Sequence, residues 1–303
     1  MTFLKSLTYQ LIQLSRGSFF VLRHPANRGK LLSTLWKMIY WKANKHFFKN
    51  NLIAEIDKGV FCICPFWSSY GGVIYMTKNP EYGETMFYMQ AVRKNSIIID
   101  IGSNIGYYSL LGAVRVSNGK IYAFDVDKRV NSILLENVKL NTVKSRVVNV
   151  ESLASDRNGK EGFIEEHEAE MNHIAYSKTS KNHKFPAVTI DRFLSGNKIK
   201  HLRIVKIDVE GAEYKVLLGM KKSLKRHDVD YLIIELNENI IKFGFSHKTM
   251  LNYLHKLSYN VYLFEINGVR ALTGVNVGLN DLNKNILAVS PKVKQEFRKN
   301  YLV

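Results

Sequence analysis

The chain has few acids, almost no cysteine and no long apolar run. Its 26 Asp and Glu stand against 44 Lys and Arg, a formal net charge of +18, and nothing before Glu55 is acidic. Cys62 and Cys64 are the only cysteines. One residue apart on a strand they share a face, where a disulfide would be badly strained. With no second Cys pair and scattered histidines, a disulfide framework and a zinc site are both excluded. The two read as small hydrophobes in a reducing cytoplasm. The longest clean apolar stretch near the start, Ser18-Phe19-Phe20-Val21-Leu22, falls far short of the roughly 20 residues a spanning helix needs. A signal-peptide core and cleavage site are missing too, so the chain reads as not exported, and its expected place is the cytoplasm. Internal repeats and low-complexity tracts are absent. So is the Asn/Asp-Pro-Pro-Tyr/Phe tetrapeptide of enzymes that methylate exocyclic base amines, which argues against a nucleic-acid substrate.

What is present starts with an unusual leader. Residues 1–50 hold nine Lys or Arg. Phe3, Leu4, Leu7, Leu11 and Leu14 recur at helical spacing, and Leu31 to Phe48 forms a second apolar-basic run, with Arg23 to Asn27 as a turn between them. A strand is expected over 53–63, a turn at Gly71-Gly72 before Val73 to Met76, and a helix over 84–94. Residues 1–95 therefore read as a basic, mainly helical N-terminal extension. Its apolar faces either pack on the core, with solubilising lysines outside, or bring residues 1–50 into peripheral contact with anionic membrane at its inner face. The second option would suffice for a membrane-docked binding protein with no catalysis.

From Ser96 strands and helices alternate, the sign of an α/β doubly wound, mostly parallel sheet. Seven strands are predicted, at 96–101, 120–124, 146–151, 203–208, 230–235, 259–264 and 285–289, with helices at 106–116, 128–140, 213–224 and 246–257. These make residues 96–303 one domain. Between Ala154 and Arg192 lies a polar excursion with three histidines, long enough to be a disordered loop or a lid over a site.

The most telling segment is Ile97-Ile98-Ile99-Asp100-Ile101-Gly102-Ser103-Asn104-Ile105-Gly106. An apolar run without polar alternation is a strand buried on both faces. The glycine turn after it lets backbone approach a nucleotide-like ligand at the carboxyl edge of the sheet. A second strand ends in Asp125, where a carboxylate can accept from a ribose diol. A dinucleotide turn reads G-x-G-x-x-G and seats a diphosphate. Here three residues separate the glycines and an Asp precedes them, which suits an α-amino group. S-adenosylmethionine has that amino group, a ribose and no phosphate, so it is preferred to NAD. A lone glycine turn with a capping Asp is also a plain fold element; Asp125 weighs against that reading.

The logic repeats at Arg203 to Glu213. An apolar strand ends in Asp208, a glycine turn follows, and Glu210 and Glu213 come within six residues; Glu235 ends the next strand. In an open α/β sheet such strand tips surround the ligand crevice. Asp208 is the candidate base for a hydroxyl acceptor, with Glu210, Glu213 and Glu235 shaping the acceptor site and His173 as alternative base. The ordinary alternatives are a favourable helix-dipole contact for Glu213 and solvation for Glu210. A Mg²⁺ ion held by Asp208 and Glu235 suits the hard oxygen donors, although the spacing does not demand one.

Taken in order, Asp100 to Leu111, Tyr122-Ala-Phe-Asp125, Asn137-x-x-x-Asn141, Ala154-Ser-Asp-Arg-Asn-Gly159, Val188-Thr-Ile-Asp191 and Lys206-Ile-Asp-Val-Glu-Gly-Ala-Glu213 resemble the FkbM family of methyltransferases. The resemblance spans residues 96 to about 240. It implies the class I methyltransferase fold, S-adenosylmethionine as cofactor, and O-methylation of a sugar, glycan or related metabolite hydroxyl. Carried over, Asp100, Gly102, Ser103, Asn104 and Gly106 hold the methionine end, Asp125 and Val126 the ribose side, and Ser152, Leu153 and Ala154 lie near the adenine. Where the family commonly has Glu-Pro for the ribose, this chain has Asp125-Val126; Asp still accepts two hydrogen bonds. An RNA methyltransferase using the basic surface is the competing enzyme class.

Overall fold

In a computed structural model, the description covers residues 18–164, 173–174, 183–266, 268–272, 274–275, 278 and 284–301. The chain divides into two compact units, Met1–Tyr82 and Gly83–Val303, so the helix leading into the first core strand falls with the second unit.

In the first unit residues 18–23 are helical. His24 caps a 3-10 turn, Pro25–Asn27. The helix Leu31–Ala43 then runs into a π-helical turn, Asn44–Phe48. A hairpin of β1 (Leu52–Asp57) and β2 (Val60–Cys64) follows. The sequence predicted one strand here. Instead a turn opens at Lys58-Gly59, where Gly59 has φ 71° and donates to Glu55 Oε1 at 3.0 Å. Cys62 and Cys64 are free and buried. Gly71-Gly72, expected in a turn, lies inside the helix Ser69–Thr77, which Ser68 caps by accepting from Gly71 N. The glycines serve packing, because a Cβ at Gly72 would stand 2.8 Å from the Trp41 ring.

The second unit takes up the helix Tyr82–Ala91 from its second residue and continues as β3 (Ile97–Ile101), the helix Tyr107–Ala113, β4 (Lys120–Phe124), the helix Lys128–Leu140 and β5 (Val147–Val150). Four short strands then stand where the sequence suggested a lid: β6 (Leu153–Ala154), β7 (Gly159–Ile164), β8 (His173–Ile174) and β9 (His183–Val188). They form a sheet of their own, ordered β6-β9-β7-β8. The main fold resumes with β10 (Leu202–Ile207), β11 (Val229–Glu235), β12 (Asn260–Glu265), β13 (Gly268–Ala271) and β14 (Asn285–Val289).

The large sheet runs β13-β12-β14-β11-β10-β3-β4-β5. β5, β4, β3, β10 and β11 are mutually parallel, while β14 is antiparallel to both β11 and β12. This is the class I methyltransferase arrangement, with one correction: the sheet has eight strands rather than seven. The addition, β13, is a four-residue edge strand hairpinned onto β12, mostly exposed and so without apolar periodicity. Every residue of β10 is buried, as a parallel sheet covered on both faces requires. The helix predicted over 213–224 is two, Glu213–Leu218 and Lys221–Lys225, interrupted where Gly219 passes against the Ser155 carbonyl.

Candidate functional site

The carboxyl ends of β4, β3, β10 and β11 lie side by side, and the sequence puts Asp125, the glycine turn, Asp208 and Glu235 on those four tips. β3 and β10 pair in register, Asp100 opposite Lys206 and Ile101 opposite Ile207, so Gly102 and Asp208 come next on adjacent strands. Asp208 N donates to Ile101 O at 3.0 Å. The approach is so close that a Cβ on Gly102, at φ 75°, would overlap the Asp208 carbonyl oxygen. Gly106, at φ 88°, has no room for a Cβ against Leu134. Backbone conformation demands glycine at both positions, and at Gly102 the adjacent backbone demands it by space as well.

The turn itself is tied to β4. Gly102 N and Ser103 N both donate to Phe124 O, at 2.9 and 3.0 Å. Asn104 takes a left-handed φ of 50°, which brings its N–H to Asp125 Oδ2 at 3.0 Å; Asp127 N donates to Oδ1 at 3.0 Å. Each Asp125 oxygen keeps a lone pair after these bonds, and burial pushes its pKa up to about 6. Asn137 donates to Ile105 O at 2.9 Å and Asn131 to Asp125 O at 3.1 Å, so the helix Lys128–Leu140 braces both tips. Ser103 is buried and its Oγ has no partner among the described residues, an orphaned hydroxyl in the turn that a bound ligand would satisfy.

Asp100 is almost fully buried. Ser109 Oγ donates to its Oδ2 at 2.7 Å, and burial raises its pKa against the opposing effect of the nearby Lys206 charge. The carboxyl expected to meet an amino group therefore sits beneath the turn with one oxygen already engaged. Val126 and Leu153 share a small apolar cluster with Phe163, Ala187 and Ala212. Ser152 Oγ donates to Pro186 O at 3.1 Å. The accessory sheet thus packs beside the expected adenine side. It is fixed there by Glu161, whose two carboxylate oxygens each accept from Lys215 Nζ at 3.0 Å.

The acids of the second turn divide by environment. Glu213 is fully buried: its Oε1 accepts from Val209 N at 3.2 Å and Gly211 N at 2.9 Å, and Oε2 has no partner among the described residues. Burial pushes its pKa up to about 8. It shapes the turn that carries Asp208 and Glu210. Glu210 adopts φ 51° and accepts from Asn237 Nδ2 at 2.8 Å, while Glu235 accepts from the same nitrogen at 2.9 Å. Burial, then the charges of Asp208 and Glu210, push Glu235 up to about 9. Asp208 is paired with Lys206, yet its side chain is 29% exposed, which leaves it open to a substrate. One oxygen each of Asp208, Glu210 and Glu235 lies within 4.8 Å of the others. Such a set has the geometry to share a proton or to take a hard cation. His173 is on β8, opposite Ile164, and its side chain lies outside the described residues.

Sequence reasoning missed two members. Lys206 is buried between the Asp100 and Asp208 positions, its Nζ 4.9 Å from the Tyr108 ring centroid; a lysine two residues before Asp208 in a mostly apolar strand was the available signal. Asn237 clasps two of the acids, and its position two residues beyond Glu235 put it on the same face.

The family model for the FkbM methyltransferase domain matches residues 100–261. The chain belongs to the FkbM methyltransferase family. The match runs from the acid before the glycine turn into β12, and with it come the Rossmann-like methyltransferase domain and its cofactor, S-adenosylmethionine. Hexuronic acid methyltransferase AglP of Haloferax volcanii is 24% identical over 157 residues, 50% of this chain and 60% of that protein. Among solved structures, SMU.1697c of Streptococcus mutans in complex with SAH is 16% identical, with TM-score 0.41 over 68% of this chain and 95% of its own. Precorrin-6y C5,15-methyltransferase of Geobacter metallireducens is 13% identical, with TM-score 0.38 over 68% and 88%. Among the described residues no helix is long and apolar enough to cross a membrane.

Proposed function

We propose that the protein transfers a methyl group from S-adenosylmethionine to a hydroxyl of a sugar or sugar-derived acceptor. The observation that carries this reading is the contact of Gly102 with the Asp208 backbone, which brings a cofactor turn and a partly open carboxylate to one edge. The turn fits a sulfonium amino acid: acids surround it, Ser103 Oγ awaits a partner, and Asp125 keeps lone pairs for a ribose diol. When bound, S-adenosylmethionine would supply an electrophilic methyl group for the acceptor oxygen. Asp208 accepts the proton released by the acceptor oxygen. Lys206 holds that carboxylate in place. Glu210 and Glu235, clasped by Asn237, present hydrogen-bonding groups to neighbouring hydroxyls. Glu213 fixes the turn, and, fully buried with Oε1 held by Val209 N and Gly211 N, it is set apart from the acceptor.

The hexuronic acid named for the Haloferax protein supplies the first acceptor class to try. The test incubates the enzyme with methyl-labelled cofactor and uronic acid glycosides, and identifies the product by NMR. A methyl ether that disappears in Asp208→Asn, with cofactor binding kept, supports the reading. A methyl ester, or methylation of added RNA instead, overturns it.

A further inference from the structure

The helix Leu31–Ala43 turns its apolar side outward. At ~100° per residue, Leu31, Leu32, Leu35, Trp36, Ile39 and Tyr40 share one half of its circumference. All six are exposed, Leu32 at 82% and Trp36 at 68%. The opposite half carries the buried residues, Thr34 and Trp41. Trp41 stacks on Tyr75 with ring centroids 5.7 Å apart and lies against Gly72, so the helix is anchored by this narrow side. The chain continues in the same way, with Phe47 at 80% and Phe48 at 60% exposure. A folded chain in water gains nothing from such a surface, and patches of this kind mark interaction sites.

The surrounding charge narrows the partner. Residues 1–50 contain nine cations and no anion, and Arg28, Lys30, Lys42 and Lys49 are exposed. Lys37 is held below the usual lysine range, first by partial burial and then by the charges of Lys78 and Lys30. These cations crowd one another with no acid of their own segment to relieve them. A second copy of the chain would set cations against cations. A nucleic acid would neutralise them and leave the apolar face wet. An anionic bilayer answers both features: acyl boundary for Leu and Ile, headgroup level for Trp and Tyr, and lipid phosphate for Lys and Arg.

We propose that the outward face of the helix Leu31–Ala43, with Phe47 and Phe48, docks the protein on anionic phospholipid membrane. The test is co-sedimentation of the full-length protein with phosphatidylglycerol vesicles and with phosphatidylcholine vesicles, at low and high salt. Two variants accompany it, L32S/W36S/I39S and R28Q/K42Q/K49Q. All six side chains are exposed, so both variants are expected to keep the wild-type circular dichroism and cofactor affinity. The wild type should pellet with phosphatidylglycerol alone and be released by salt. Each neutralised charge should weaken partition about fivefold, and the apolar variant should lose most of it. Failure of the wild type to pellet overturns the proposal. So does an apolar variant that pellets like wild type, the mark of a purely ionic contact such as a nucleic acid would make. A wild-type dimer that the apolar variant turns into a monomer, with no pelleting by either, would assign the face to a second copy.

Discussion

At the scale of single residues, protonation divides the site's acids. Glu213 and Glu235, with pKa values raised to about 8 and about 9, carry protons in the folded enzyme at neutral pH and lose them when it unfolds. Their contribution to stability is complete below the ordinary glutamate range and disappears as pH rises through their folded values. The melting temperature should therefore fall between about pH 5 and pH 9, and Glu235→Gln, which fixes the neutral form, should flatten that decline. An unchanged slope would mean that Glu235 is ionised in the folded state. Lys206 poses the converse case. Its ammonium lies buried against Asp208 and near Asp100, so Lys206→Met strands carboxylate charge and should cost about 3–5 kcal/mol, read from urea unfolding.

At the scale of elements, the glycine turn depends on its neighbours as well as on its own sequence. Asn137 reaches from the helix Lys128–Leu140 to Ile105 O, a carbonyl in the buried turn. Asn137→Ala should cost about 1–3 kcal/mol in stability and weaken S-adenosylmethionine binding by calorimetry, while Gly106→Ala, with Leu134 in the way, should abolish binding. Strands such as Ile97–Ile101 and Val229–Glu235 were legible because burial on both faces leaves a predominantly apolar run without alternation. The helix Lys128–Leu140 was legible from its 3.6-residue period and its Asp127 cap. The accessory sheet was not. β6 and β8 are two residues long, too short for any period, and β9 contains Pro186. At the site, the acids at the strand tips could be picked out by type and position. That Asp100 would sit under the turn, and that Lys206 and Asn237 would hold the neighbouring carboxylates, follows from cross-strand register, which a single strand's sequence does not contain.

At the scale of the whole molecule, the two compact units divide the chemistry from the acid-free apolar segment. Gly83–Val303 contains the complete eight-stranded sheet, the glycine turn and all the strand-tip acids. Its central strands bury every side chain from Leu202 to Ile207. Met1–Tyr82 contains the exposed apolar helix face and the acid-free cationic segment. A core of that completeness should fold without the residues before it. A fragment of residues 83–303 is expected to unfold cooperatively and to bind S-adenosylmethionine within about tenfold of the full chain, a difference of ~1.4 kcal/mol. The same fragment should leave phosphatidylglycerol vesicles unoccupied. Loss of cooperative unfolding would mean that the first unit is part of the folding core. Retained vesicle binding would move the membrane contact to the catalytic unit, whose own surface cations would then have to account for it.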